Sequence, residues 1–466
     1  MTADERFGAF RLGDVRGIYP DEIDESFVSR FAHAFATHFN LRGPVATGRD
    51  VRGSSPALQD ALNSGFLESG IDVVDLGLCA TELCYYASTT DDIEAAIVVT
   101  ASHNPPQYNG LKCVLRNGKA IAFDDGLADV MSLMREGHKN ARGLGTLSTR
   151  ELAADYARFV HQQLRFDAPP AGSIALNGLN GSAATLAGEF AREFALPINW
   201  FRQEPGPLPP EGADPSQPRL VEQMRHFMST ATYSLGVAWD GDCDRCVFFD
   251  SDGVMAPTYY VVGLLADQAL RARGRGSVVF DTKLCFNTYD VITRLGGTPV
   301  PSETGHTFMN RHMRETQAIY GGELSSHHYF SEFFHCDSGM FAWLKMVALL
   351  GETDHTLSEL IDERRQAICC TPEISIALTD AEDAFEYLRQ EYAGAAKAFG
   401  TFDGPNFTMD DWRFTLRNSK TEPLIRVNFE SRGAPDNLLE HAHAVMGKIA
   451  RYQSDDTDWI SMLRIQ

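Results

Sequence analysis

The sequence predicts an α/β protein with three α/β domains in series and a smaller α+β domain after them. Three observations lead there. Three segments share one grammar: an apolar β-type run, a Gly/Asn/Asp-rich turn, an amphipathic helical stretch and a second apolar run. They are PVATGRDVRGSSPALQDALNSGFLESGIDVVDLG from Pro44, SIALNGLNGSAATLAGEFAREFALPINWF from Ser173 and SVVFDTKLCFNTYDVITRLGGTPVPS from Ser277. Each spells a βαβ unit of about thirty residues, which calls for parallel strands with a helix on one face. Beyond Cys370 the grammar changes to strands without such helices, EISIALTD and FTMDDWRFTLRNSKTEPLIRVNFESRG, with a helical run around 437–451. The length of 466 residues is the third observation, because it allows about two to four domains.

Boundaries are expected near 148, 254 and 369, dividing the chain into 1–148, 149–254, 255–369 and 370–466. The Pro-rich stretch at 204–218 reads as a long loop inside the second domain. The apolar run SLGVAWD that follows it needs a sheet to join.

Composition narrows the function. With 41 Lys+Arg against 63 Asp+Glu the net charge is −22, so the surface repels nucleic acid and anionic membrane, and any anionic ligand must be held by a local cluster of cations. Nine cysteines, an odd number without a disulfide rhythm, read as thiols of a reduced cytoplasm. The opening MTADERFGAF lacks the basic and apolar regions of a secretory signal. The most apolar stretches, 259–270 and 340–350, are too short and too broken by charge to span a bilayer. A soluble, cytoplasmic protein is expected.

Four loops carry chemistry. TASHNPPQYNG (100–110) follows the apolar run AAIVV, which puts Ser102 at the mouth of a sheet. Pro105 and Pro106 stiffen the turn, and Asn109-Gly110 is expected to make a second tight turn that returns Lys112 towards the serine. An isolated Ser-His pair would read as a plain turn, and no G-x-S-x-G elbow surrounds Ser102. Next, Asp240-Gly-Asp-Cys-Asp-Arg245 crowds three carboxylates after a strand, a hard oxygen set suited to Mg²⁺. An EF-hand fails, because Arg245 and Ser251 stand where Gly and Glu are needed. Cys243 and Cys246 have no second pair with which to bind zinc, and read as packing residues.

The third loop, GGELSSHHY (321–329), places Glu323, Ser325 and His327 at one parity of an extended segment. A carboxylate and a hydroxyl on one side make a clamp for neighbouring sugar hydroxyls, and an ordinary turn fits as well. The fourth, RNSKTEP (417–423), offers Arg417, Ser419, Lys420 and Thr421 with free backbone N–H groups, which suits a phosphate dianion; a polar hairpin turn is the alternative.

These four loops, in this order and over essentially the whole chain, resemble the α-D-phosphohexomutase superfamily. GGELSSHHYF and DGDCDRC read most like its bacterial phosphomannomutase branch. The resemblance implies three topologically similar α/β domains with mixed sheets and a smaller fourth domain around a central cleft. It makes Ser102 the phosphoserine, with Ser102, Asp240, Asp242 and Asp244 as the Mg²⁺ ligands. Lys112, Arg245, His103 and Arg16, the last within FRLGDVRG, become catalytic candidates. Glu323, Ser325, His327, His306, Arg417, Ser419, Lys420, Thr421 and Arg426 become substrate-binding candidates.

The implied reaction moves a phosphoryl group between C1 and C6 of a hexose phosphate, mannose first and possibly glucose as well, through a bound hexose 1,6-bisphosphate, in a monomer or dimer. Lys112, with Arg16 and the nearby histidines, is the expected proton shuttle. A phosphatase with Asp240 as nucleophile would leave Ser102 idle. A sugar-phosphate-binding protein with reduced turnover is the reading from another class, because three positions depart from the family. Gly13 stands where Tyr is usual, Glu303 stands where a Lys precedes Thr-Gly-His, and Gly206 stands for Asn. Arg16, Lys112, Arg245, Arg417 and Lys420 are expected to form a basic lining inside the acidic shell.

Overall fold

The computed structural model describes residues 5–137, 143–164, 172–395, 404–418 and 424–466. It resolves into two compact units. One comprises Met1–Met255, Gly305–Ile319 and Ser325–Leu357; the other comprises Ala256–Thr304, Tyr320–Leu324 and Ser358–Gln466. We call them unit 1 and unit 2.

The first sheet, in unit 1, contains β1 (Val15–Ile18), β2 (Val45–Arg49), β3 (Val73–Leu78), β4 (Ala95–Val99), β5 (Tyr108–Leu115), β6 (Lys119–Ala120) and β7 (Leu147–Thr149) in the order β1-β5-β4-β2-β3-β7, with β6 on β5. Strands β4, β2 and β3 run parallel, as the first βαβ unit predicts, and β5 runs antiparallel to both β4 and β1. The sheet is therefore mixed.

Its helical layer follows from sequence. Glu25–His38 starts where the Asp24 carboxylate accepts from the Phe27 N–H at 2.7 Å, a side-chain cap. It then buries Phe27, Val28, Phe31, Ala32 and Phe35 at helical spacing. Ser55–Glu68 packs against it at Gly65, where a Cβ would lie 2.6 Å from the Ser29 carbonyl.

The second sheet, also in unit 1, has β8 (Ser173–Asn177), β9 (Ile198–Phe201), β10 (Tyr233–Trp239) and β11 (Cys246–Phe249) in the order β11-β10-β8-β9. The predicted β8/β9 pair is parallel, and β10 joins the sheet as SLGVAWD required. Pro218 does not belong to the loop before it, since it opens the helix Pro218–Met228, where a missing N–H costs nothing.

In unit 2, β12 (Ser277–Asp281) lies parallel to β13 (Thr298–Ser302) and to β14 (Tyr320–Gly322), matching the third βαβ unit. In unit 1, β15 (His328–Phe330) and β16 (Cys336–Asp337) form an antiparallel pair. The last sheet, in unit 2, has β17 (Ile368–Cys370), β18 (Ile374–Ile376), β19 (Asn406–Thr408), β20 (Trp412–Asn418) and β21 (Ile425–Arg432) in the order β17-β21-β20-β19, with β18 on β21. The expected helix is present as Pro435–Ile449. A second helix, Ala381–Glu391, starts at Asp380, whose carboxylate accepts from the Asp383 N–H.

One local expectation is corrected. Asn109-Gly110 is no turn but lies inside β5, and the return from β4 is made by residues 100–107. Gly110 is needed for a different reason: β1 passes so close that a Cβ there would sit 2.1 Å from the Val15 carbonyl oxygen. Among the described residues no helix is long and apolar enough to cross a membrane, and all nine cysteines are buried thiols. Gly110→Ala should therefore strip β1 from the sheet edge and destabilise the protein by about 2 kcal/mol or more. Thermal denaturation of the variant checks this, and an unchanged midpoint would show that β1 can shift aside.

Candidate active site

Three parallel strands of the first sheet end side by side, and each runs into polar residues: Asp50 and Arg52 after β2, Thr81 and Glu82 after β3, Thr100 and Ser102 after β4. Carboxyl ends of such strands are where open α/β sheets bind ligands. Ser102 is 2% exposed and holds a left-handed backbone with φ of 51°. Its N–H donates to Thr100 Oγ1 at 2.9 Å and its hydroxyl donates to Asp240 Oδ2 at 2.7 Å, with His103 Nδ1 3.2 Å away.

Two guanidinium groups hold this loop. Buried Arg52 pairs with Asp50 at 3.0 Å and donates to the carbonyls of Pro105, Tyr108, Ser102 and Asn104 at 2.7, 3.1, 2.7 and 2.7 Å. These bonds use all five of its N–H groups. Arg16 donates to the Ala101 carbonyl at 3.1 Å and Asn104 Oδ1 at 2.7 Å, and pairs with Asp14 at 2.5 Å.

Strand β10 delivers the second loop. Asp240, Asp242 and Asp244 are all buried, with carboxylate oxygens within 4.8 Å of one another. Asp242 Oδ2 accepts from Thr81 Oγ1 at 2.7 Å, Thr100 Oγ1 at 3.1 Å and Lys112 Nζ at 2.7 Å, and the same ammonium bonds Asp244. Burial, then Asp244 and Asp242, pushes the Asp240 carboxyl well above its ordinary range. Burial acts the same way on Asp244, but Lys112, His327 and Arg245 outweigh it and hold that carboxyl well below. Burial would likewise lower Lys112, yet Asp242 and Asp244 raise it and keep it an ammonium.

Asp242 Oδ1 is buried without a hydrogen-bond partner, and Asp244 Oδ1 has His327 Nε2 at 3.4 Å. Carboxylates with uncommitted buried oxygens fit a hard divalent cation, and these three residues could hold one.

The third loop divides between the units. Glu323, 1% exposed, lies in unit 2, whereas Ser325 and His327 lie in unit 1. Ser325 Oγ is 2.8 Å from His327 Nδ1, and His327 bridges to Arg245 along the backbone, so this half of the loop is laced to the metal-loop strand. Asp337 completes a second buried group with Asp244 and His327, and burial followed by Asp244 pushes its carboxyl up to about 7. His306 is pushed down to about 4 by burial and then by Lys112. It is therefore a neutral imidazole at pH 7.

His306 and Thr307 also account for Gly13. A Cβ there would lie 3.0 Å from Thr307 Oγ1 and 3.5 Å from His306 Cε1, so any side chain at this position must push the Thr307 hydroxyl aside. Gly206 has only the Glu204 carbonyl, 3.9 Å from a Cβ, in its neighbourhood.

Each described cation of the expected basic lining has a carboxylate beside it. Arg16 stands against Asp14, Lys112 against Asp242 and Asp244, and Arg245 3.8 Å from Asp240. In unit 2 the cross-strand pair Arg417 and Arg426 share Glu373, with Arg426 at 3.2 Å. Each cation is matched by a carboxylate because a buried or half-buried charge needs a partner. Ser419, Lys420 and Thr421 lie outside the described residues.

Arg52, Thr81, Thr100, Asp337 and Glu82 were not singled out from sequence. Arg52 follows a strand as RGSS, a string that reads as a turn. Glu82 is the anchor beneath the metal loop: its buried carboxylate accepts from Tyr156 Oη at 2.7 Å, from Ser338, from the Met340 N–H at 3.3 Å and from Cys243 Sγ at 3.6 Å. Burial pushes it up from 4.5 to about 7. Between those values the unfolded chain gives up a proton that the folded chain keeps, so stability falls as pH rises through that window. The total is about 3 kcal/mol. Glu82→Gln should remove this fall while Asp337 retains its own share; unfolding midpoints from pH 4.5 to 8 check it, and an undiminished slope would acquit Glu82.

Comparison with known proteins agrees with this geometry. The families described as phosphoglucomutase/phosphomannomutase alpha/beta/alpha domain I and domain III match residues 8–139 and 257–368. A protein named phosphohexose mutases from Xanthomonas campestris pv. campestris is 38% identical over 91% of this chain and 95% of its own. A phosphomannomutase from Escherichia coli is 36% identical over 93% and 96%. Among solved structures, a phosphoglucomutase/phosphomannomutase family protein from Burkholderia thailandensis superposes with a TM-score of 0.84 at 25% identity over 97% of each chain. The phosphoglucomutase parafusin from Paramecium reaches 0.78 at 16% identity over 98% and 96%, a likeness of fold. With family models over more than half its length and relatives of 36–38% identity over nine-tenths of it, the chain belongs to the phosphoglucomutase/phosphomannomutase family, the phosphohexomutase isomerases.

Proposed function

We propose that this phosphohexomutase interconverts mannose 1-phosphate and mannose 6-phosphate through a phosphoryl group carried on Ser102. The phosphoryl passes from Ser102 Oγ to the free C6 hydroxyl, whose proton ends on Ser102 Oγ. The resulting mannose 1,6-bisphosphate turns over and returns its C1 phosphoryl to Ser102 Oγ, whose proton passes to the C1 oxygen as its bond to phosphorus breaks, leaving mannose 6-phosphate. The observation that carries this reading is the hydrogen bond from Ser102 Oγ to Asp240 at 2.7 Å in a loop locked by Arg52.

Mg²⁺, held by Asp240, Asp242, Asp244 and the serine phosphate, would neutralise the transferring group. Arg52 and Arg16 keep the loop backbone fixed, so that little reorganisation accompanies transfer. Lys112, an ammonium between carboxylates, serves as a fixed charge. His103 is held well below its ordinary pKa by burial and then by Arg245 and Arg16, so it presents a neutral imidazole next to Ser102 Oγ. Glu323 and Ser325 are assigned to the sugar hydroxyls, His327 and His306 to the substrate's surroundings, and Arg417, Ser419, Lys420, Thr421 and Arg426 to the phosphate that is not transferred.

We assign the four sheets to four domains divided near 148, 254 and 369, and the nine free thiols support a cytoplasmic location. Glucose phosphates are the second substrate class, favoured by the pairing of both sugars in the family's description.

Purified protein with Mg²⁺ and a trace of hexose 1,6-bisphosphate should isomerise mannose 1-phosphate, carry a phosphoryl group on Ser102 by peptide mass analysis, and lose turnover on chelation. Ser102→Ala should lower kcat by about three orders of magnitude or more, and near-normal turnover would overturn the mechanism. Sugar-phosphate binding without turnover by the native protein would favour a binding role. Because Glu373 competes for the two phosphate arginines, Glu373→Gln should lower KM for mannose 1-phosphate several-fold, about 1 kcal/mol. A raised KM would instead make Glu373 their organiser.

A further inference from the structure

Unit 2 contains a buried ion pair that the reaction itself does not use. Arg413 on β20 and Glu430 on β21 are cross-strand partners, each 0% exposed, with Nη1 2.7 Å from Oε1. Arg413 also donates to the carbonyls of Thr282 and of Lys283, the latter at 3.3 Å, and Thr415 Oγ1 reaches the same Lys283 carbonyl at 3.2 Å. Glu430 accepts from the N–H groups of Cys285 and Phe286 at 2.9 and 2.8 Å and from Tyr259 Oη at 2.7 Å. Its charge therefore caps the helix Phe286–Arg294 from outside that helix. The segment 282–286 is held by the last sheet from both ends.

Two directions lead out of this clasp. Along the strands, residues 413, 415 and 417 share one face of β20, and the rung Arg417–Arg426 lies four residues from the rung Arg413–Glu430. Along the chain, Asp281 precedes the clasped segment, salt-bridges Lys283 at 3.2 Å, and accepts at 2.8 Å from the N–H of Leu324, the residue after Glu323. The two arginines and the backbone after Glu323 are thus joined inside one unit by hydrogen bonds and the short stretches of chain between them.

We propose that the Arg413–Glu430 pair is a positioning device that couples recognition of the non-transferred phosphate, at Arg417, to recognition of the sugar hydroxyls, at Glu323. The proposal rests on the substrate assignments above and adds the coupling between them. A pair of apolar residues would hold this interior at least as stably. What the ions add is direction: a guanidinium and a carboxylate fix two carbonyls and two N–H groups at set angles, as apolar packing does not. A sugar that turns over between two transfers presents new hydroxyls and a new phosphate each time, and coupled elements would test both at once.

The experiment is a double-mutant cycle of Glu323→Gln and Arg417→Ala on KM for mannose 1-phosphate, run in the native enzyme and in Arg413→Met/Glu430→Met. In the native enzyme the two changes should depart from independence by about fivefold or more, the lower end of couplings between linked sites. In the paired variant they should multiply independently, with KM raised and kcat at saturation within about twofold. Arg413→Lys keeps the charge but cannot span both carbonyls, so it should lose most of the coupling, and it serves if the paired variant does not fold. Coupling that persists in these backgrounds, or effects already independent in the native enzyme, would overturn the proposal alone. A native enzyme whose KM is indifferent to both single changes would overturn the substrate assignments as well.

Discussion

The contact on which the rest of unit 1 depends is the Lys112 ammonium lodged between Asp242 and Asp244. It ties β5 of the first sheet to the loop that leaves β10 of the second, with the lysine 3% exposed. Like charges about 4 Å apart repel by about 4 kcal/mol at the effective dielectric of a protein, so three buried carboxylates in one loop have no resting arrangement without a cation among them. Lys112 supplies one, and Thr81 and Thr100 add hydroxyls to the same Asp242 oxygen. The ends of three strands are thereby drawn to one carboxylate. The serine loop takes its place from that convergence, with Arg52 fixing its backbone.

Much of this was legible in the sequence, and what was not has a common cause. The three βαβ units could be read because a parallel crossover leaves a local signature of about thirty residues. The three aspartates could be read because their crowding is itself local. Arg52 could not, because its partners at 102, 104, 105 and 108 are about fifty residues away and are backbone oxygens, which every sequence has. The carboxylates beside the expected basic lining were illegible for the same reason. A sequence shows Arg417 but not that Glu373, 44 residues earlier, shares it with Arg426. Asn109-Gly110 misled because the dipeptide that favours turns here serves close strand approach.

Charge therefore works differently in the two units. In unit 1 the buried carboxylates exceed what their cations satisfy, and the unpartnered Oδ1 of Asp242 records the imbalance. In unit 2 Arg417 and Arg426 share Glu373 near the surface, and Arg413 is answered by Glu430 in the interior. The two units thus differ in how far each charge is matched, more than in the sign of the residues present. The net charge of −22 is silent on that distinction.

Ser102 holds a backbone with φ of 51°, a region where an L-residue other than Asn or Asp is uncommon. Strain of this kind costs about 1–2 kcal/mol, and glycine would relieve it. A screen that rewards heat resistance alone would therefore favour glycine at this position. The proposed phosphoryl carrier is thus a residue that selection for robustness would remove and that selection for turnover would keep.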